Sequence, residues 1–174
     1  PKVLALLVVC YFLSPIDRIP DFPYDTGRAI QAIIIRDSTL YIGGMFNRIG
    51  SARRQGLAAV SIHSALATAW NPRAIQEFAP AFVLAMALEG QALFVAGSFD
   101  SLGGLPGKYV GAVDINTGAA LPWRPDPNNG ILSLAVAGDV LYAGGVFTSL
   151  GPQFPRYGLA AFDARTGAVT DWNP

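Results

Sequence analysis

The sequence has little of what most catalytic and nucleic-acid-binding proteins rely on. It holds one cysteine, Cys10, and one histidine, His63. A lone thiol cannot close an internal disulfide, so cysteine usage leaves the redox compartment open. Zinc tetrads and Ser-His-Asp or Cys-His hydrolase arrangements would find too few partners here. Charge is scarce as well, at 14% of 174 residues, and the twelve basic and twelve acidic side chains cancel. No run of one sign stands out, and phosphate recognition needs a concentrated positive face, so nucleic acid is not an expected partner. Sustained helical spacing is missing from residue 24 onward. The longest unbroken apolar run, residues 3–13 after Lys2, is well short of the roughly 20 residues that a membrane-crossing helix requires.

What the sequence has in plenty is apolar residues, 52% of the chain, with 19 glycines and 13 prolines. They are arranged in a unit written three times. Ile30, Val83 and Ile131 precede Gly44, Gly97 and Gly145 by the same interval, and Phe46, Phe99 and Phe147 follow two residues later. Leu57, Val110 and Leu159 come next, the last with one extra residue before it, and Trp70, Trp123 and Trp172 close each unit. These are all the tryptophans of the chain, and they recur at intervals of roughly 50 residues, the length of a supersecondary repeat that buries its faces against its neighbours.

The patterning within each unit predicts four short strands. They are expected at 29–36, 40–46, 56–62 and 67–70, at 83–88, 92–99, 109–115 and 119–123, and at 131–136, 140–147, 157–164 and 168–172. The joins 71–81 and 124–130 carry proline, and the second is strongly polar, as linkers between units tend to be. Four strands per roughly 50 residues describe a β-propeller blade, whose two faces both pack on neighbours and so read apolar. The expected fold is all-β: a partial propeller of three four-stranded antiparallel blades at about 23–72, 73–125 and 126–174, preceded by a short apolar helix within residues 1–22. Closed propellers have four to eight blades. Three are therefore expected to form an open arc, completed by further blades or by self-association through its unpaired edges. Because the chain begins with proline and stops at the end of a unit, it reads as a piece of something longer.

The first 22 residues stand apart. An apolar stretch runs into Ser14-Pro15, where proline disfavours helix in the residue before it. Residues 3–13 have the length and the nearby positive charge of a signal-peptide centre, without a small-x-small cleavage site after them. A buried helix or a degenerate strand packing on the first unit is an equal reading. The phrase Ser14-Pro15-Ile16-Asp17-Arg18-Ile19-Pro20-Asp21-Phe22 resembles the signature of the YkvA-like family of small bacterial proteins, over residues 4–22 at most. That resemblance implies membrane contact through residues 3–13, although the second helix expected of the family is missing. A gene fusion or a reading-frame artefact would also give this join.

The repeated residues read mainly as structure. Gly43-Gly44, Ala96-Gly97 and Gly144-Gly145 remove side chains where a backbone or ring must come close; a phosphate-cradling loop would need a helix to follow, and none is expected. The recurrent Phe and Trp fill contacts between blades rather than stack on sugars in solvent. Asp114-Ile115-Asn116-Thr117-Gly118 and Asp163-Ala164-Arg165-Thr166-Gly167 are hairpin turns in which the carboxylate accepts from backbone N–H groups and glycine takes a positive φ. As a calcium loop, Asp114 with Asn116 offers too few oxygens. In the first unit the turn reads Ser61-Ile62-His63-Ser64-Ala65, so a different geometry is expected there, with His63 on the surface. Neither catalytic, cofactor-binding nor metal-ligating residues are assigned.

The phrases Leu-Tyr-x-Gly-Gly-x-Phe, Leu-Ala-Ala-Phe-Asp-x-x-Thr-Gly-Ala and Trp-Asn-Pro, carried by Leu141 to Pro174 and echoed upstream from Ile30, look like the delta-60 repeat β-propeller family of bacterial, often secreted or surface-attached proteins. They are also similar to kelch repeats and, more weakly, to quinoprotein blades. The resemblance implies a propeller of largely unknown biochemical role, usually part of a longer exported chain, and the leading functional expectation is a non-catalytic recognition or scaffold module, extracellular or at the cell surface. Its rim would be made by the stretches 47–55, 100–108 and 148–156, with protein or carbohydrate as the ligand class. Arg53, Arg54, Lys108 and Arg156 lie in those stretches and hint at an anionic ligand, a solvated rim being the plainer reading. A second reading is an enzyme, quinoprotein-like or hydrolase-like, with catalytic residues outside this chain; a third is a YkvA-like membrane-associated protein joined to propeller repeats. A kelch-type copper oxidase would need more than the single histidine present, and no quinone site can be named, so no cofactor is expected.

Overall fold

The computed structural model describes residues 29–174. The N-terminal helix expected within residues 1–22, and with it the YkvA-like phrase, lies outside the described residues. Every regular element from residue 29 onward is a β-strand. The first unit contains β1 (Ala29–Arg36), β2 (Thr39–Met45), β3 (Arg48–Ile49), β4 (Ala52–Arg53) and β5 (Leu57–Ser61). The second contains β6 (Ala74–Ile75), β7 (Phe82–Glu89), β8 (Ala92–Ser98), β9 (Ser101–Leu102), β10 (Leu105–Pro106) and β11 (Val110–Asp114). The third contains β12 (Ile131–Ala137), β13 (Val140–Gly145), β14 (Ser149–Leu150), β15 (Phe154–Pro155) and β16 (Leu159–Asp163).

Each unit is built on one antiparallel three-stranded sheet with its middle strand second in sequence: β1-β2-β5, β7-β8-β11 and β12-β13-β16. The fourth strands expected at 67–70, 119–123 and 168–172 do not form as ladders. They shrink to single bridges, Val60 with Ala67, Val113 with Ala120 and Phe162 with Val169. Side chains explain the stop. Thr68 Oγ1 and Thr170 Oγ1 accept from the backbone N–H of Trp70 and Trp172, each at 3.3 Å. Such a local bond competes with the ladder and turns the chain. In the second unit Pro122 stands before Trp123 and has no N–H to offer. The stretches read as rim loops fold into short ribbons, β3-β4, β9-β10 and β14-β15. The middle ribbon is stitched to the linker before it, because β6 pairs with β9 and Gly103 N donates to Pro72 O at 2.8 Å.

The small-residue pairs have a specific cause. In all three sheets the first strand is bulged opposite them, between Ile30 and Ala32, Val83 and Ala85, and Ile131 and Ser133. The bulge pushes backbone into the space a side chain would need. A Cβ on Gly44, Gly97 or Gly145 would lie 2.9 Å from the Cα of Ile30, Val83 or Ile131 and overlap the carbonyl just before it. In the first unit the first member of the pair makes room for the neighbouring sheet: a Cβ on Gly43 would sit 3.1 Å from Met86 Sδ of the second unit.

Sheets pack face to face. Alternation along a strand sends odd and even residues to opposite faces, and both faces are apolar here. Tyr41, Leu57, Ala59 and Trp70 of the first unit meet Val83, Leu93, Val95 and Val113 of the second. The other face of the second, with Phe94, Ala96, Ala112 and Trp123, meets Ile131, Leu141, Ala143 and Phe162 of the third. This two-sided burial accounts for the high apolar fraction.

The turn of the first unit corrects an expectation. It was expected to differ from the Asp-x-x-Thr-Gly turns, yet Ala65 N donates to Ser61 O at 2.9 Å just as Gly118 N donates to Asp114 O at 2.8 Å and Gly167 N to Asp163 O at 2.9 Å. Ala65 takes φ 57, beside 75 for Gly118 and 79 for Gly167. The hairpin register imposes the conformation, and alanine bears the strain. Ala65→Gly is expected to raise stability by about 1 kcal/mol, read from the shift in urea midpoint. His63 is exposed in this turn.

Candidate functional site

Two features of the surface depart from the regularity of the stack: the outer face of the third sheet and the basic side chains of the ribbons. The first follows from the joints between units. Trp70 Nε1 donates to Asp114 O and Trp123 Nε1 to Asp163 O, each at 3.1 Å, so each indole is bonded to the hairpin turn of the next unit. The turn glycines make room for it. A Cβ on Gly118 or Gly167 would come within 3.4 Å of the preceding Trp Nε1. On the other side the indole meets an aromatic ring of its own unit edge-on, Tyr41 with Trp70 at 5.2 Å and 84°, and Phe94 with Trp123 at 5.0 Å and 63°. Tyr41 adds a hydroxyl bond of 3.1 Å to Ile115 O of the second unit, and burial pushes its pKa above the ordinary value.

The third unit repeats the arrangement. Tyr142 and Trp172 meet at 5.3 Å and 88°, the geometry of the first unit. Here the face is open. Trp172 is 42% exposed where Trp123 is 2%, and Leu159 is 48% exposed where Leu57 is 0%. Val146 and Tyr157 of the same unit are exposed as well. Regular recurrence of tryptophan in the sequence signals packing between units, and it cannot by itself mark the copy that is left uncovered.

The four basic residues of the ribbons separate into two kinds. Arg53 and Lys108 are exposed. Arg54 and Arg156 turn inward and tie the ribbon to the segment that follows the third strand of their own unit. Arg54 Nη2 donates to Thr68 O, and Arg156 Nη2 to Thr170 O at 3.1 Å. Their Nη1 atoms donate to the preceding carbonyls, Arg53 O at 2.7 Å and Pro155 O at 3.0 Å. Arg156 is 9% exposed, the one buried charged side chain among the described residues. Both guanidinium groups thus face carbonyls rather than a rim, which removes two of the four cations read as a hint of an anionic ligand.

The acidic turn residues are likewise occupied. Asp114 Oδ1 accepts from Asn116 N, Thr117 N and Thr117 Oγ1 at 3.0, 2.7 and 2.9 Å. Asp163 Oδ1 accepts from Arg165 N, Thr166 N and Thr166 Oγ1 at 2.9, 2.7 and 2.9 Å. The N–H of Thr117 is the main influence holding Asp114 below the usual carboxylate range, and the N–H of Thr166 does the same for Asp163, helped by the Thr166 hydroxyl. A carboxylate whose folded pKa is lowered stabilises the fold above its unfolded pKa and loses that contribution as pH falls through the folded one. The melting temperature should therefore drop on acidification through and below the usual carboxylate range. A variant with Asp114→Asn and Asp163→Asn should show a flatter profile over that window in calorimetry. Among the described residues, no three His, Cys, Asp or Glu side chains gather as a cation site.

Comparison with known proteins divides along the same boundary as the sequence. Residues 2–23 match the family described as protein of unknown function (DUF1232), in agreement with the YkvA-like resemblance of residues 4–22. That match covers a small part of the chain and lies outside the described residues. No delta-60 or other propeller family matches the repeats, and no curated protein matches the chain. Among solved structures it is similar to the computationally designed Ika4 protein, with 13% identity and a TM-score of 0.55 over 84% of this chain and 73% of that one. It is also similar to the computationally designed Ika8 protein, with 13% identity and a TM-score of 0.54 over 81% of this chain and 35% of that one. The chain thus spans about a third of the Ika8 chain, and at such identity the likeness concerns the fold alone.

Proposed function

We propose that residues 29–174 are three blades of a β-propeller that serves as a non-catalytic scaffold or recognition module, of the delta-60 kind, at a bacterial cell surface or outside the cell. The observation that carries this reading is the chain of indole bonds: Trp70 and Trp123 each donate to a carbonyl of the next unit, and Trp172 is held in the same pose against Tyr142 with its face open. A further unit of the same repeat fits there. It would bring an Asp-x-x-Thr-Gly turn whose Asp carbonyl accepts from Trp172 Nε1, and a first strand whose β-branched residue stands where Val83 and Ile131 stand. The non-catalytic reading is supported by the side chains a reaction would need, since the turn aspartates and two of the four ribbon cations are already engaged within their own units. Partners, of protein or carbohydrate, would meet the exposed parts of the ribbons, including Arg53, Lys108 and Phe154.

The test is to extend the array. A copy of residues 126–174 carrying Trp172→Phe, joined after Pro174, should shield Trp172 of the parent unit from iodide and shift the emission to the blue. It should also raise the melting temperature, because repeat arrays gain a nearest-neighbour interface with each unit added. An extended chain whose parent Trp172 is still fully quenched would overturn the reading.

A further inference from the structure

The three units share one construction with a single break. Arg54 N, Gly107 N and Arg156 N occupy the same place in the backbone, donating to Asn47 O, Asp100 O and Thr148 O at 3.0, 3.0 and 3.1 Å. Two residues on, Gly56, Tyr109 and Gly158 all take positive φ, at 70, 66 and 77. Their carbonyls accept from Gly44 N, Gly97 N and Gly145 N at 3.0, 2.9 and 2.9 Å. The second unit therefore has glycine where the other two have the inward-facing arginine. Lys108, the cation nearest in sequence, is one position out of step and exposed.

The space that the arginine fills in the other units is a shallow cleft in the second, open on one side to solvent. Pro106, Gly107, Leu121 and Trp123 line it, with Leu102 and Leu105. The carbonyls that receive the guanidinium elsewhere have counterparts here. Pro106 O stands where Arg53 O and Pro155 O stand. Leu121 O stands where Thr68 O and Thr170 O stand, since Thr68 N, Leu121 N and Thr170 N donate to Ala59 O, Ala112 O and Ala161 O at 2.8, 2.8 and 2.9 Å. A Cβ on Gly107 would meet nothing within 4 Å.

We propose that this cleft is a binding site for the guanidinium group of an arginine side chain presented by a partner polypeptide. The acceptor pair suits a planar fork with parallel N–H donors, and apolar walls suit a cation that is weakly hydrated on its faces. An ammonium is compact and strongly hydrated, so lysine fits less well. The first and third units show the bound state within the same chain: a guanidinium bridging two carbonyls, nearly buried at Arg156. Arg124 also lines the cleft, and its like charge weakens the site without blocking it, because the rim is wet and the repulsion is screened.

Titration of the full 174-residue chain with N-acetyl-L-arginine methylamide, followed by amide chemical shifts, reads the site directly. Saturable shifts centred on Gly107 and Leu121 are expected, with a Kd on the order of a millimolar, as befits one side chain in a shallow cleft. N-acetyl-L-lysine methylamide should bind about fivefold more weakly, and Arg124→Gln should tighten arginine binding about twofold. Gly107→Arg supplies the missing group in cis and should abolish the shifts; Gly107→Leu, which fills the space without a charge, should abolish them too. The proposal is overturned by wild-type shifts that never saturate or do not arise, by equal binding of the two analogues, or by unchanged binding in a folded Gly107 variant.

Discussion

Trp123→Ala should lower the unfolding free energy by about 3–5 kcal/mol, the range for truncating a large aromatic in a packed core. The indole is 2% exposed and meets Phe94 and Phe162 edge-on, with centroids at 5.0 and 5.7 Å. Its loss opens a cavity between two sheets and leaves the Asp163 carbonyl without its donor from Trp123. Trp172→Ala, the same substitution at the equivalent place in the third unit, should cost about 1 kcal/mol, because much of that ring already faces water. Urea unfolding of the two variants checks both values. Equal costs would mean that the face beyond the third sheet is covered like the others.

A comparable loss is expected from one methyl group. Gly97→Ala places a Cβ 2.9 Å from the Cα of Val83 and into the carbonyl of Phe82, so the bulged first strand must move. Because backbone rather than a flexible side chain stands in the way, the cost should reach about 3 kcal/mol or more, the upper end for overpacking. Gly90→Ala is the control. Gly90 has φ 56 at a hairpin with open space around it, so only backbone strain of about 1 kcal/mol is expected. The two variants separate close approach from conformational freedom as reasons for glycine in this chain.

Much of the fold was legible because the same landmarks recur in register. The first three strands of each unit fall where alternation and turn residues place them, within a residue or two at the ends, and the tryptophans do lie between sheets at both joints. The shortfall of the fourth strands has a local cause that periodicity does not register: a threonine hydroxyl caps the tryptophan N–H in the first and third units, and a proline precedes the tryptophan in the second. The turn at Ala65 departs from expectation for a related reason. Propensity argues against alanine at positive φ, and the register of the hairpin outweighs it. The basic residues show the limit of reading charge from sequence alone. Arg54 and Arg156 look like rim cations until the carbonyls of Thr68 and Thr170 are seen to receive them. That glycine stands at 107 where the first unit has Arg54 follows from their equal distance from Phe99 and Phe46, but that the arginine points inward, so that its absence leaves a cleft, is seen only in the structure.

Each of the first two sheets is covered by the one that follows, and the outer face of the third is exposed. Iodide quenching of tryptophan fluorescence in the unmodified chain tests this most directly. Buried indoles at Trp70 and Trp123 with an exposed one at Trp172 predict a quenching curve with one accessible emitter and two protected ones, and Trp172→Phe should remove the accessible component alone. Three indoles quenched alike, or an accessible component that survives Trp172→Phe, would contradict it.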